Sequence, residues 1–242
     1  MQIISNRSSL RSLPRSIISP EAQAGGNTPT GDRFVGAFSS SRKISLSTSI
    51  QDTSKMSLDT YKGPLEQFGS FLVLDVEYNQ VKNMRRDVEA VIGRKLDFLK
   101  LLRPEGEAHV TTFTPVEARR IIAREEGEAG KLSMDDIEAI AQKTDLKNLD
   151  LQIKGVGSGS KLINGNLEET FFLIVDSEKL RSVRHQINDL YLSRGGDPEQ
   201  FKPDHFYPHI TIGYTARDLH ESDGVLKDKE NSLDSRFRLE MK

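Results

Sequence analysis

Twice along this chain the same order of elements can be read: a β-prone run, a long amphipathic pattern, and a short strand that opens with His-x-Thr. In the first copy "SFLVLDVEY" (70–78) reads as a strand. Val81, Met84, Val88, Val91, Ile92, Leu96, Leu99 and Leu102 then recur at spacings of mostly three and four. That spacing predicts one helix, ended by Pro104 and Gly106, before the strand "AHVTTF" (108–113). In the second copy "ETFFLIV" (169–175) is the strand, and Ser177 caps a helix carrying Leu180, Val183, Ile187, Leu190 and Tyr191. Gly195 or Gly196 ends it, and after a loop comes "HITIGY" (209–214). Strands mixed with helices in this way define an α+β class. The repeat is one of order and not of residues. It predicts two pseudo-symmetric lobes, each with an antiparallel sheet and helices, facing one another across a cleft.

Between the copies lie further start signals. Thr114 with Glu117 forms a capping box with Pro115 at the first helical position, and Ser133 with Asp136 opens "MDDIEAIAQK". "LDLQIKGVG" and "SKLIN" read as two strands around a Gly-rich turn. "KGVGSGSKLING" (154–165) lacks the spacing of a phosphate loop, so a hairpin turn is the better reading.

Composition removes several chemistries. The 242 residues include no cysteine, which excludes disulfides, thiol catalysis and cysteine-held zinc. A net charge of −2 leaves no global footprint for nucleic acid, so any RNA contact must be local and DNA is not an expected partner. No apolar run approaches the roughly 20 residues of a membrane helix. Residues 1–58 are rich in Ser and Gly and poor in large apolar side chains, the composition of a disordered segment. Arg7, Arg11 and Arg15 precede the first acid, Glu21, as in a mitochondrial transit peptide. A plain tail, or sequence upstream of a start at Met56, fits as well. Residues 59–242 then form the folded domain, expected to be a monomer of the cytoplasm or nucleus, or of the mitochondrion if the first segment is an address.

The chemistry sits in the paired strands. Residues i and i+2 of a strand share a face, so His109 lies beside Thr111 and His209 beside Thr211. Two such strands would aim two imidazoles and two hydroxyls into one groove. Cleaving a phosphate ester needs a base for the attacking oxygen, an acid for the leaving oxygen, and donors for the non-bridging oxygens. Histidine can serve as either near neutral pH, and threonine hydroxyls can donate. No metal or other cofactor is required by this scheme.

"HVTT" (109–112) and "HITI" (209–212) resemble the twin signatures of the 2H phosphoesterase superfamily, which includes RNA 2′,3′-cyclic phosphodiesterases. "SRGGDPEQFKPDHFYPHITIGYTARDLHESDGVLKD" (193–228) is similar to the 2H domain of fungal Swiss Army Knife RNA repair proteins. The resemblance covers roughly residues 60 to 230. It implies a bilobal α+β fold with the active site in the cleft, His109 and His209 as the acid/base pair, and Thr111 and Thr211 as phosphate-oxygen ligands. It implies a metal-independent phosphoric diester hydrolase acting on an RNA end or a cyclic nucleotide. The other catalytic domains of multi-domain relatives have no counterpart in this sequence.

Other residues have candidate roles beside these. Phe113, Tyr207 and Tyr214 flank the motifs and could stack on a nucleobase, as could Phe206; strand-end packing is the plainer role. Arg103 could bring positive charge to an anionic substrate, as could Arg194, Lys154 or Lys161. His205 and His209 stand four apart, which would suit a metal only on a helix, and Pro208 argues against one there. His185 reads as a solvated helix residue and His220 as a loop or cap residue. Two alternatives to the hydrolase stay open: a non-catalytic RNA- or nucleotide-binding module that keeps the cleft, and a metal-dependent hydrolase built on His205 and His209.

Overall fold

The computed structural model of the chain describes residues 56–62, 69–101, 103–125, 127–146 and 149–238. Residues 1–55 of the expected disordered segment, and Leu102 of the expected helix stripe, lie outside the described residues. Ser57 and Leu58, which the sequence places in the disordered segment, belong to a strand, β1 (Ser57–Tyr61). The strands that follow are β2 (Phe71–Asp75), β3 (His109–Phe113), β4 (Gln152–Ile163), β5 (Asn166–Asp176) and β6 (His209–Tyr214). The helices are α1 (Tyr78–Ile92), α2 (Pro115–Ile121), α3 (Met134–Gln142), α4 (Glu178–Ser193) and the single turn α5 (Lys229–Ser232). None of these helices is long and apolar enough to cross a membrane.

The α+β class holds, but the strands form one sheet in place of one sheet per lobe. Its order is β1-β2-β3-β6-β5-β4, antiparallel throughout. The last strand of each half therefore meets the other at the centre, where Val110 stands opposite Ile210. Hydrogen bonding between those two strands is what fuses the expected pair of sheets.

Residues directly opposite in an antiparallel ladder share a face. Leu74, Val110, Ile210, Leu173 and Val156 follow one another across the sheet in this way, and all belong to one core cluster. Val81, Met84 and Val88 of α1 and Leu180 of α4 belong to it as well. A second cluster packs Leu72 and Phe113 against α2, α3 and the rest of α4. Each large apolar side chain so buried stabilises the fold by about 1.5–3 kcal/mol. The opposite face of the sheet carries Asp75, His109, Thr111, Thr211, His209, Phe172 and Thr170.

The helix ends follow the expected chemistry. Thr114 and Glu117 form a capping box on α2, Ser133 and Asp136 another on α3, and Ser177 caps α4. Helix α1 is shorter than the apolar spacing predicts: Gly93, in the left-handed conformation at φ 73°, stops it, and Leu96 and Leu99 belong to the connection beyond. A positive φ is cheap only for glycine, so the stop signal overrides the continuing pattern.

The Gly-rich turn also moves. β4 runs unbroken through Gly155, Gly157 and Gly159, and the turn falls at Asn164 and Gly165, both at positive φ. That is the two-residue Asn-Gly hairpin. Gly157 and Gly159 serve close approach instead: a Cβ on Gly157 would lie 2.4 Å from the Phe172 ring, and one on Gly159 2.3 Å from Val225. The segment after β6 can thus lie against the sheet, where Gly157 bridges to Leu233 and α5 packs on β4.

Candidate active site

β3 and β6 bring the two His-x-Thr motifs together. With Val110 opposite Ile210, the antiparallel register extended by one residue sets His109 across from Thr211 and His209 across from Thr111. The two histidines are then diagonal neighbours on one face, about 7–8 Å apart in a regular ladder and somewhat closer at Cβ. Val110 and Ile210, between the motif residues, are fully buried on the other face and pin both strands to the core.

The second motif is tightly wired. His209 Nδ1 donates to the Tyr207 carbonyl at 2.8 Å, which fixes the tautomer and leaves Nε2 with its lone pair. Lys227 Nζ donates to that Nε2 at 3.2 Å and to Asp218 Oδ1 at 2.7 Å. Asp218 also accepts from Thr170 Oγ1 at 2.6 Å and from Thr211 Oγ1 at 3.0 Å. The Phe172 ring lies edge-on to His209, with the Lys227 ammonium 5.3 Å from its centre. Burial, and next the Lys227 charge, hold His209 well below the usual imidazole range, at about 3. Burial works against ionisation of Asp218, yet Lys227, His220 and His209 together bring its carboxyl down to about 2. The Lys227 ammonium, 3 % exposed, is itself lowered by burial and sustained by Asp218.

The first motif is looser. His109 is half-buried, and among the described residues its Nδ1 has no hydrogen-bond partner. Burial lowers its pKa, while the carboxylates of Glu107, Asp75 and Asp218 favour its charged form. Asp75 stands opposite His109 on β2 and forms an ion pair with Arg103, which puts Arg103 on the His109 side of the site. Thr111 makes no side-chain hydrogen bond among the described residues. The two threonines are therefore not equivalent, as the hydroxyl proton of Thr211 is committed to Asp218.

Tyr214 reaches the same face through a bulge. Phe171 pairs with Gly213 and Phe172 with Thr211, so Ile212 is an extra residue and Tyr214 comes to stand opposite Thr170. Its hydroxyl donates to the Phe98 carbonyl at 3.0 Å, and burial raises its pKa. Tyr207 is half-buried beside His205 and contributes its carbonyl to His209. Phe113 is corrected: it is fully buried against Phe201 in the helix-side core and offers no face to a base. Phe206 is likewise core.

The remaining candidates lie elsewhere. His205 pairs with Glu221 and His185 with Asp204, both exposed, so the His205–His209 spacing does not become a shared ligand pair. Among the described residues no group of three or more His, Asp or Glu is arranged to hold a metal ion. Arg194 is bound to Asp136 at the start of α3, and Lys154 to Gln152. Lys161 reaches Asp223, and His220 opens the short 3-10 turn Glu221–Asp223 near Asp218. A surface hollow lined by Asn188, Pro198, Lys202, His205 and Tyr207 contains neither motif histidine.

Asp218, Lys227, Thr170 and Phe172 were missed in the sequence. So was Arg184, a fully buried arginine of α4. It donates to the carbonyls of Thr112, Pro203, Lys202 and His205 and to the Glu117 carboxylate. One side chain thus ties Thr112 of β3 to the loop that delivers β6, and so links both motif strands.

Paired histidines and threonines on a single antiparallel sheet face are groups of the kind that phosphate-ester chemistry can use. The sequence matches the family described as Swiss Army Knife, 2H phosphoesterase domain over residues 70–220, and the chain belongs to that family. It is a phosphoesterase domain of the hydrolase class. No curated protein and no solved structure gives a match.

Proposed function

We propose that this domain hydrolyses a 2′,3′-cyclic phosphate or related phosphodiester of RNA or a nucleotide, by two-histidine acid/base catalysis without a metal. The observation that carries the reading is the diagonal placement of His109 and His209 on one sheet face. Water attacks phosphorus in line and one imidazole takes its proton. The other gives a proton to the departing ribose oxygen, leaving a phosphomonoester and a free hydroxyl. The two halves of the sheet act as the lobes, with the substrate across the β3–β6 seam. Thr111 is the free hydroxyl donor to phosphate, and Arg103, Tyr207 and Tyr214 border the nucleotide.

The test offers the full-length chain, in EDTA, a panel of 2′,3′-cyclic mononucleotides, RNA ending in a cyclic phosphate, ADP-ribose cyclic phosphate and linear dinucleotides. Conversion of a cyclic phosphate to a single 2′- or 3′-monophosphate is expected. Loss of turnover in EDTA, restored by a divalent ion, would replace the reading with a metal-dependent one. Nucleotide binding with no turnover on any member would leave a binding module.

A further inference from the structure

Lys227 is the charged group the mechanism above does not use. It comes from the segment after β6 and is held in place by close packing. Val225 nests on Gly159, Leu233 on Gly155, and Leu219 and Val225 pack against Phe172 and Ile174. An ammonium has three protons. Among the described residues Lys227 uses two, one on Asp218 and one on His209 Nε2.

The second of these contacts is at odds with catalysis. Nε2 is the only lone pair of His209, because Nδ1–H is committed to the Tyr207 carbonyl. While Lys227 donates to it, His209 can take no proton from water. A neighbouring cation equally opposes protonation of His209, which suits a base better than an acid. Around the ring stand Lys227, Asp218 and His220, and Asp218 is already occupied by Thr170, Thr211 and Lys227. An anionic phosphate oxygen is a stronger acceptor for an ammonium than a neutral imidazole is.

We propose that Lys227 is a catalytic residue that takes a non-bridging phosphate oxygen of the substrate, and that in doing so it releases Nε2 of His209 to act as the base. The proposal rests on the phosphoesterase reading. It assigns the roles: the bond from water to phosphorus forms, and the water proton passes to His209 Nε2. The bond from phosphorus to the ribose oxygen breaks, and that oxygen takes its proton from His109. Lys227 keeps its protons throughout and neutralises charge growing on the phosphoryl oxygens. Binding of substrate thereby unmasks the base, and the free protein holds it covered.

The experiment compares the full-length wild type with Lys227→Met, using inorganic phosphate as the binding probe and a 2′,3′-cyclic nucleotide as substrate. Calorimetry should show phosphate binding at least about tenfold weaker in the variant, and kcat/KM should fall by about 100-fold or more. The acidic limb of the kcat/KM profile should move to higher pH, since a cation beside His209 is gone; a merely structural role would not move it. Asp218→Asn/Lys227→Met removes both buried charges and serves if the single variant fails to fold. In the wild type, 15N NMR should show the His209 Nε2 resonance shifting as phosphate binds. Equal phosphate affinity in wild type and variant, an unmoved limb, or an Nε2 resonance indifferent to phosphate would overturn the proposal. Phosphate binding that depends on Lys227, with no turnover of any diester, would support the contact and remove the hydrolase reading.

Discussion

Replacing Asp218 by Asn tests the wiring of the site through stability alone. Asp218 accepts three hydrogen bonds, one of them from a lysine that is 3 % exposed. Asn keeps the shape and one acceptor oxygen, but the Lys227 ammonium then has no counter-charge in a buried position. Breaking a buried ion pair by removing one partner costs about 3–5 kcal/mol. The retained carbonyl places this variant at the lower end, about 3 kcal/mol, which corresponds to a drop in Tm of about 6–12 °C for a domain of this size. Adding Lys227→Met should recover part of the loss, because the second variant removes the uncompensated charge. Calorimetric melting of wild type, both single variants and the double variant gives the coupling directly. A single Asp218→Asn variant that melts within about 2 °C of wild type would refute the buried pair, and with it the argument that Lys227 is held in place by Asp218.

Three other outcomes follow from the same geometry. Arg184→Met should cost about 3–5 kcal/mol in urea unfolding, because it strands Glu117 and four backbone carbonyls; a change under 1 kcal/mol would show that the loop before β6 is held by other means. Thr111→Val should lower kcat/KM with little change in Tm. Thr211→Val should destabilise by about 1.5–3 kcal/mol by taking a donor from a carboxylate, and equal melting of the two would contradict their inequivalence. His209 sits at about 3 when folded against 6.5 for an ordinary imidazole, so the unfolded chain binds the extra proton between those values. Its contribution to stability is complete above about pH 6.5 and is lost as pH falls toward 3, and Asp218 adds a loss from 3.8 toward 2. Urea midpoints should fall from pH 7 to pH 4.5 less steeply in His209→Gln than in wild type, and parallel curves would exclude a His209 held neutral in the folded protein.

The parts of this fold visible in the sequence are those set by local chemistry. Periodicity gave helix α4 nearly to the residue and the inner part of β5, which extends further at both ends, and cap pairs gave the starts of α2 and α3. The motif strands were legible because two short β-prone runs each open with His-x-Thr; one such run alone would read as an ordinary strand. What was hidden depends on partners distant in sequence. Nothing in "HVTTF" and "HITIGY" says that Val110 and Ile210 pair, so one sheet looked like two. The bulge at Ile212, which carries Tyr214 onto the site face, appears only against β5. Gly93 was outvoted by an apolar spacing that continued past it. Arg184, Asp218 and Lys227 carry no interior signal in the sequence, because charged residues in helices and loops are usually solvated. The close approach of Val225 to Gly159 and of Leu233 to Gly155 lets the segment that carries Lys227 lie against the sheet.

The central claim is that two histidines on adjacent strands do the chemistry together. The most direct measurement is kcat/KM of the full-length chain on the best 2′,3′-cyclic substrate of the panel, for wild type, His109→Ala, His209→Ala and the double variant, each checked for an intact melt. Loss of an acid or base costs about 10²–10⁴-fold, so each single variant should fall by that much. The double variant should fall by less than the product of the two, as groups acting in one transition state are not additive. Turnover that survives either single substitution at more than about a tenth of wild type would contradict the account.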